Sequence, residues 1–109
     1  YVVQGGSQSS DRLHAAAMGL DGSVILAGQT SGDWNGSNAG VTDFAALKLD
    51  ADGVLQWRWQ SGTTVQDYLY AASVLEDGSV LLTGDTEGSW ATVSTGNKDF
   101  VAVVLDASG

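Results

Sequence analysis

The side chains best equipped for chemistry in this 109-residue sequence are two loop tryptophans set among amides, hydroxyls and a carboxylate. Trp34 lies in Ser31-Gly-Asp-Trp-Asn-Gly-Ser-Asn38, and Trp90 in Glu87-Gly-Ser-Trp-Ala-Thr-Val-Ser94. An indole plane beside Asp33, Asn35 and Asn38 is the equipment of a sugar site. The ring stacks on C–H faces, the polar groups bond hydroxyls, and repetition of the site at Trp90 raises avidity without new contacts. The competing use of each indole is burial between packed sheets, where its large area stabilises the seam. That second use is the preferred reading.

Acidic residues offer less. Asp50-Ala-Asp52-Gly53 follows an apolar run and could open a calcium loop, since hard cations want several oxygens at close spacing. Val54-Leu55-Gln56-Trp57 adds no carboxylate, and Asp106-Ala-Ser108-Gly109 has only one, so Asp50 and Asp52 read first as a structural turn. Asp11 and Asp67, and Asp43 and Asp99, recur just ahead of apolar runs. Acid–base work would need such carboxylates held together with separated pKa values, and the spacing shows no such pairing, which leaves capping and turn hydrogen bonds. His14 is the one histidine and cysteine is absent, so neither a nucleophilic triad nor a zinc site is expected within the chain. The sequence reads as non-enzymatic and without a cofactor.

Four Lys and Arg against 13 Asp and Glu give a net charge of −9. Such a surface repels nucleic acid and anionic lipid, and no apolar run approaches the roughly 18 residues of a membrane span. Without cysteine the redox compartment is not legible. A start at Tyr1 suggests a processed product or a segment of a longer protein. Asn35-Gly-Ser37 matches an N-glycosylation acceptor, in keeping with an extracellular or cell-surface location.

The elements that position these residues follow a repeat. Shifted by 56 places, residues 1–53 align with 57–109 without a gap, and 23 of the 53 pairs are identical. The chain is thus one segment, 1–109, with repeat one at 1–56 and repeat two at 57–109, and self-similarity of this length governs the fold class. Within a copy, short apolar runs are separated by turn residues: Leu13–Leu20, Val24–Gly28, Phe44–Leu49 and Leu55–Gln60, then Leu69–Leu75, Val80–Gly84 and Phe100–Leu105. These are strands of an antiparallel meander, with Asp21-Gly22, Asp52-Gly53 and Asp77-Gly78 supplying the positive φ of tight hairpin turns.

Helix is the rival at Arg12–Leu20, where Ala15, Ala16, Ala17 and Met18 have high helix propensity. The aligned Tyr68-Leu-Tyr-Ala-Ala-Ser-Val-Leu75 favours strand and would put Leu69, Ala71 and Ser73 on one face. The same alternation would put Leu55, Trp57 and Trp59 together on an apolar face of the fourth strand.

Four strands per repeat is the content of a propeller blade, so the expected fold is all-β: two four-stranded antiparallel blades of a β-propeller. Tyr1-Val2-Val3-Gln4 aligns with Trp57-Arg-Trp-Gln60 as an outer strand, whereas the last blade stops at its third strand, Phe100, Val101, Ala102, Val103, Val104 and Leu105. Two blades cannot close, since propellers take about 4–8. The two edges are expected to be completed by strand exchange with other copies of the chain or with neighbouring repeats.

The pattern Gly-Thr-x-x-x-Asp-x-Leu-Tyr-Ala-Ala at 62–72, Asp-Gly-Ser-Val-x-Leu-x-Gly-x-Thr-x-Gly, and Asp-Phe-x-Ala-x-Lys-Leu-Asp-Ala-Asp-Gly-x-x-x-Trp at 43–57 resembles the β-propeller repeat family labelled SBBP. The resemblance spans essentially the whole chain. It implies a multi-blade propeller in a large, often extracellular or surface protein, and no particular chemistry. Repeat two departs from the pattern at Val104 and Ser108, where repeat one has Lys48 and Asp52, which weakens a metal role for the turn. The leading expectation is a structural scaffold or interaction module, with a multivalent carbohydrate-binding propeller as the alternative and glycans as its partners.

Overall fold

The computed structural model describes all residues from Tyr1 to Gly109 and is all-β. Its strands are β1 (Asp11–Met18), β2 (Val24–Thr30), β3 (Asp43–Leu49), β4 (Leu55–Ser61), β5 (Asp67–Val74), β6 (Val80–Thr86) and β7 (Asp99–Leu105). They form two antiparallel meanders, β1-β2-β3-β4 and β5-β6-β7. The alanine run 15–17 is strand despite its helix propensity, because ladder pairing and burial against a neighbouring sheet outweigh a weak local preference.

Tight turns join the strands at one end of each sheet. Gly22, Gly53 and Gly78 have φ of 79°, 84° and 83°, the left-handed region that glycine enters without penalty. The preceding aspartate locks the turns at Gly22 and Gly78. Asp21 Oδ1 accepts from Ser23 N at 3.0 Å and Ser23 Oγ at 2.6 Å, and Asp77 does the same for Ser79. These hydrogen bonds hold the Asp21 and Asp77 carboxyls below the ordinary range.

Two irregularities change which residues share a face. In β1 the register steps from Leu13↔Gly28 to Ala15↔Ala27, and in β5 from Leu69↔Gly84 to Ala71↔Thr83, leaving His14 and Tyr70 as bulged residues. At the bulge the Arg12 and Tyr68 carbonyls press against Gly28 and Gly84, where a Cβ would collide with them. The bulge therefore requires glycine in the partner strand. It also overturns the expected grouping of Leu69, Ala71 and Ser73. Leu69 is buried together with partly buried Ala72 and Val74, while Ala71 and Ser73 are exposed. A second slip, Lys48↔Trp57 followed by Leu49↔Leu55, turns Leu55 away from Trp57 and Trp59, so the expected single face of three is split.

Tyr1–Gln4 is not a strand here, contrary to expectation, because no strand lies alongside it to form a ladder. It nevertheless holds a fourth-strand position relative to the sheet that follows. The Tyr1 ring lies over Gly53, with Cδ2 2.6 Å from where a Cβ would stand, just as the Trp57 ring covers the equivalent Gly109 at 2.8 Å.

The core is the seam between the sheets. Ile25, Ala27, Phe44 and Ala46 from the first meet Leu69, Val80 and Leu82 from the second. Moved back by 56 places, the latter three are Leu13, Val24 and Leu26, which lie on the opposite face of the first sheet. One face of a sheet therefore packs on the other face of its successor. Fully burying a side chain such as Phe44 contributes roughly 1.5–3 kcal/mol. Its equivalent Phe100 is 91% exposed, because no third sheet covers that face.

Candidate functional site

The first long loop, between β2 and β3, is built on one side chain of β4. Gln60 Oε1 accepts from Trp34 N at 2.7 Å and Asn35 N at 2.9 Å, while Nε2 donates to Gly32 O and Asp43 Oδ2, both at 2.9 Å. An amide has two donor hydrogens and a carbonyl with two lone pairs, so this glutamine is fully used. The loop polar groups proposed for a ligand are engaged with each other. Asp33 Oδ1 accepts from Asn38 N at 2.7 Å, Asn38 Oδ1 from Gly40 N at 2.9 Å, and Asn35 Nδ2 donates to the Arg58 carbonyl at 2.5 Å.

Asp33, Trp34, Asn35 and Asn38 are thus brought together, and Trp90 stands apart from them. Trp34 lines a groove of about 430 Å³ with Val3, Leu13, Leu26, Leu47 and Leu49, with Asp11 and Arg58 as its charged members. Trp90 occupies the seam, 4.9 Å from the Phe44 ring centre and 6.3 Å from Trp59 in an edge-on arrangement. The groove at Trp34 is that same seam surface one repeat earlier, uncovered.

The loop between β6 and β7 carries no corresponding glutamine. Asp99 instead accepts from Thr95 N at 2.9 Å and Thr95 Oγ1 at 2.8 Å, which holds its carboxyl below the usual range.

The strand-leading aspartates act as clips. Asp11 accepts from Thr30 Oγ1 at 2.6 Å and Ser7 N at 2.6 Å, and Asp67 from Thr86 Oγ1 at 2.5 Å and Thr63 N at 2.6 Å. Asp67 is fully buried, and desolvation raises its pKa despite these donors. Asp43, 1% exposed, accepts from Ala39 N and Gln60 Nε2 through Oδ2, while its Oδ1 has no partner. Both carboxylates crowd Gly62, whose Cβ would stand 2.6 Å from Asp67 Oδ2 and 2.8 Å from Asp43 Oδ1. Spacing along the repeat concealed this pair, because Asp43 aligns with Asp99 and meets Asp67 only through packing of the two sheets.

At the acidic turn, Asp50 Oδ1 accepts from Asp52 N and Val54 N, and Oδ2 from Gln56 Nε2, so the turn itself uses both oxygens while Asp52 points to solvent. No group of three or more His, Cys, Asp or Glu side chains converges as a metal cage. A polar–aromatic patch on the first strands of both sheets was not anticipated. His14 and Tyr70 rings lie 5.6 Å apart, Tyr68 stacks on Tyr70 at 6.1 Å, and Lys98 Nζ sits 5.2 Å above Tyr68 and 3.7 Å from both Asp85 and Glu87. Recurrence of a ring at the bulged position was the available signal. The chain matches no protein-family model and no curated protein.

Proposed function

We propose that this chain is a pair of consecutive β-propeller blades of the SBBP type, acting as a non-enzymatic extracellular or cell-surface scaffold. One observation carries the reading: the seam joins unlike faces of successive sheets, leaving at either side the face that a further sheet of the same kind would use. A contact of this head-to-tail kind propagates until it closes.

The placement of the indoles supports a scaffold over a sugar site. Trp90 is engaged with Phe44 and Trp59, and Trp34 belongs to the equivalent surface. The test is a titration of intrinsic tryptophan fluorescence with a panel of neutral and acidic glycans. No saturable change is expected. A saturable change that Trp34→Ala removes, with the far-UV circular dichroism intact, would replace the scaffold with the carbohydrate-binding reading.

A further inference from the structure

Beyond any scaffold role, we propose that the seam carries a pH-operated clasp: one proton is held between Asp67 Oδ2 and Asp43 Oδ1, and its loss loosens the join of the two sheets. The position of the pair suits it to that work. The sheets meet through the backbone at one parallel bridge, Thr42↔Gln66, where Thr42 N donates to Val65 O at 3.3 Å and Asp67 N to Thr42 O at 3.0 Å. Asp43 and Asp67 each follow a residue of that bridge, so their carboxyls stand at the junction itself. Both are withdrawn from water, Asp43 at 1% and Asp67 at 0% exposure.

Two carboxylates so placed need a counter-charge or a proton, because an isolated buried ion neutralises rather than bear the cost of desolvation. The side chains of the protein supply no counter-charge. Of the four basic residues only Lys98 makes ion pairs, and it makes them with Asp85 and Glu87, which flank Thr86 and turn away from the pair. Arg58 reaches the Trp34 carbonyl instead. What faces the pair is uncharged: Thr30 of β2 opposite Asp43, Gln60 of β4, Thr86 of β6 and Thr63 of the loop before β5. From β1 comes only another acid, Asp11, tied to Thr30 Oγ1 at 2.6 Å. A hard cation would want six or more oxygens, whereas Asp43 Oδ1 is the one carboxylate oxygen of the pair without a partner.

A proton fits that gap. The point 2.6 Å from Asp67 Oδ2 and 2.8 Å from Asp43 Oδ1 is where a side chain at position 62 would begin, and Gly62 leaves it open. A carboxylic acid donates one O–H while still accepting, so protonated Asp67 gives Asp43 Oδ1 its missing partner and keeps the donors Thr63 and Thr86. Hydrogen bonds of this O–H to carboxylate kind are short and strong. Desolvation first, and then the charge of Asp43, raise the Asp67 pKa against those donors, which makes Asp67 the member that holds the proton. Once the proton leaves, two negative charges face each other in the seam and Asp43 Oδ1 is orphaned again. Opening the bridge to water relieves both. Because the folded pKa of Asp67 stands above 3.8, the clasp is fully closed below that pH and is released as pH rises through the folded pKa.

The experiment is a pH titration of the intact chain by carbon-13 NMR and amide hydrogen exchange. The side-chain carbons of Asp67 and Asp43 should both respond at one midpoint above 3.8. Corrected for intrinsic exchange, the protection of the Asp67 and Thr42 amides should fall by about tenfold for each pH unit between 3.8 and that midpoint, then level off. Asp43→Asn replaces the proton with a permanent donor: its NH2 group faces Asp67 while its carbonyl keeps Ala39 N and Gln60 Nε2. In that variant the Asp67 midpoint should drop and the protection should stay level over the same range. Titration of Asp67 at or below 3.8, an Asp43 carbon silent at the Asp67 midpoint, or wild-type protection independent of pH overturns the proposal, and these three readings need no variant. An Asp67 midpoint unmoved by Asp43→Asn overturns it as well, since burial alone would then hold the proton. Protection restored at high pH by millimolar calcium would give the gap to a cation and overturn the proton. The glycan titration judges the scaffold role separately.

Discussion

Phe44 and Phe100 occupy the same position in the two repeats, yet one is 0% and the other 91% exposed, which makes them a matched pair for measuring the seam. Phe44→Ala removes a ring packed against Trp90 and Trp59 and leaves a cavity that the surrounding strands fill only in part. Such truncations cost about 3–5 kcal/mol, and at roughly 4–8 °C per kcal/mol for a domain of this size the melting temperature should fall by about 12–40 °C. Phe100→Ala removes a solvated ring and forfeits only strand preference, under about 1 kcal/mol. The assay is thermal and urea unfolding followed by far-UV circular dichroism over a range of protein concentrations. The Phe44→Ala loss should be the same at each concentration. The Phe100→Ala loss should be near zero in dilute protein and grow with concentration, because association stabilises by mass action. Equal losses for the two variants in dilute solution would refute the reasoning that one face is covered and the other open.

Gly84→Ala should lose more than about 4 kcal/mol and leave little folded protein by circular dichroism, since a Cβ there collides with the Tyr68 carbonyl at the bulge; a native-like variant would show the bulge to be dispensable. Asp67 titrates with a folded pKa above its unfolded value of about 3.8, so its contribution to stability is fully present below that value and is lost as pH rises through the folded pKa. The urea midpoint of wild type relative to Asp67→Asn should accordingly decline as pH is raised above about 3.8, and a difference that grows with pH would contradict desolvation as the dominant cause. Ser79→Ala removes the hydroxyl that donates to Asp77, so the Asp77 carboxyl should return toward the ordinary range in a carbon-13 NMR titration.

What the sequence made legible was whatever the repeat and the turn chemistry encode locally. The Asp-Gly turns, the seven strands and the all-β class follow from period and propensity, and each apolar run lies within two residues of an observed strand. Strands β1, β3, β5 and β7 begin earlier than their apolar runs because Asp11, Asp43, Asp67 and Asp99 join the ladders opposite Thr30 and Thr86. Facing was harder to read. A bulge reverses every side chain beyond it, and strict alternation cannot register one. The bulges left a trace in Gly28 and Gly84, conspicuous within otherwise apolar strands, which marked a close backbone approach. Gln60 escaped notice as the organiser of the first loop, although Gln4 and Gln60 are identical where Tyr1, Val2 and Val3 all differ from their counterparts. The meeting of Asp43 with Asp67 was beyond reach, since it depends on how one sheet settles against the next.

The seam between unlike faces gives the molecule a polarity, with a leading surface at Trp34 and a trailing surface at Phe100. A twofold axis would set trailing surface against trailing surface, so a symmetric dimer has no use for this contact. Growth by addition to one surface also invites termination. A copy whose trailing surface is spoiled, as by Phe100→Asp, would still present an intact leading surface, join the end of a chain of copies and offer nothing to the next arrival. Small amounts of such a capping variant should shorten open assemblies out of proportion to their abundance, while rings already closed, having no ends, should resist it.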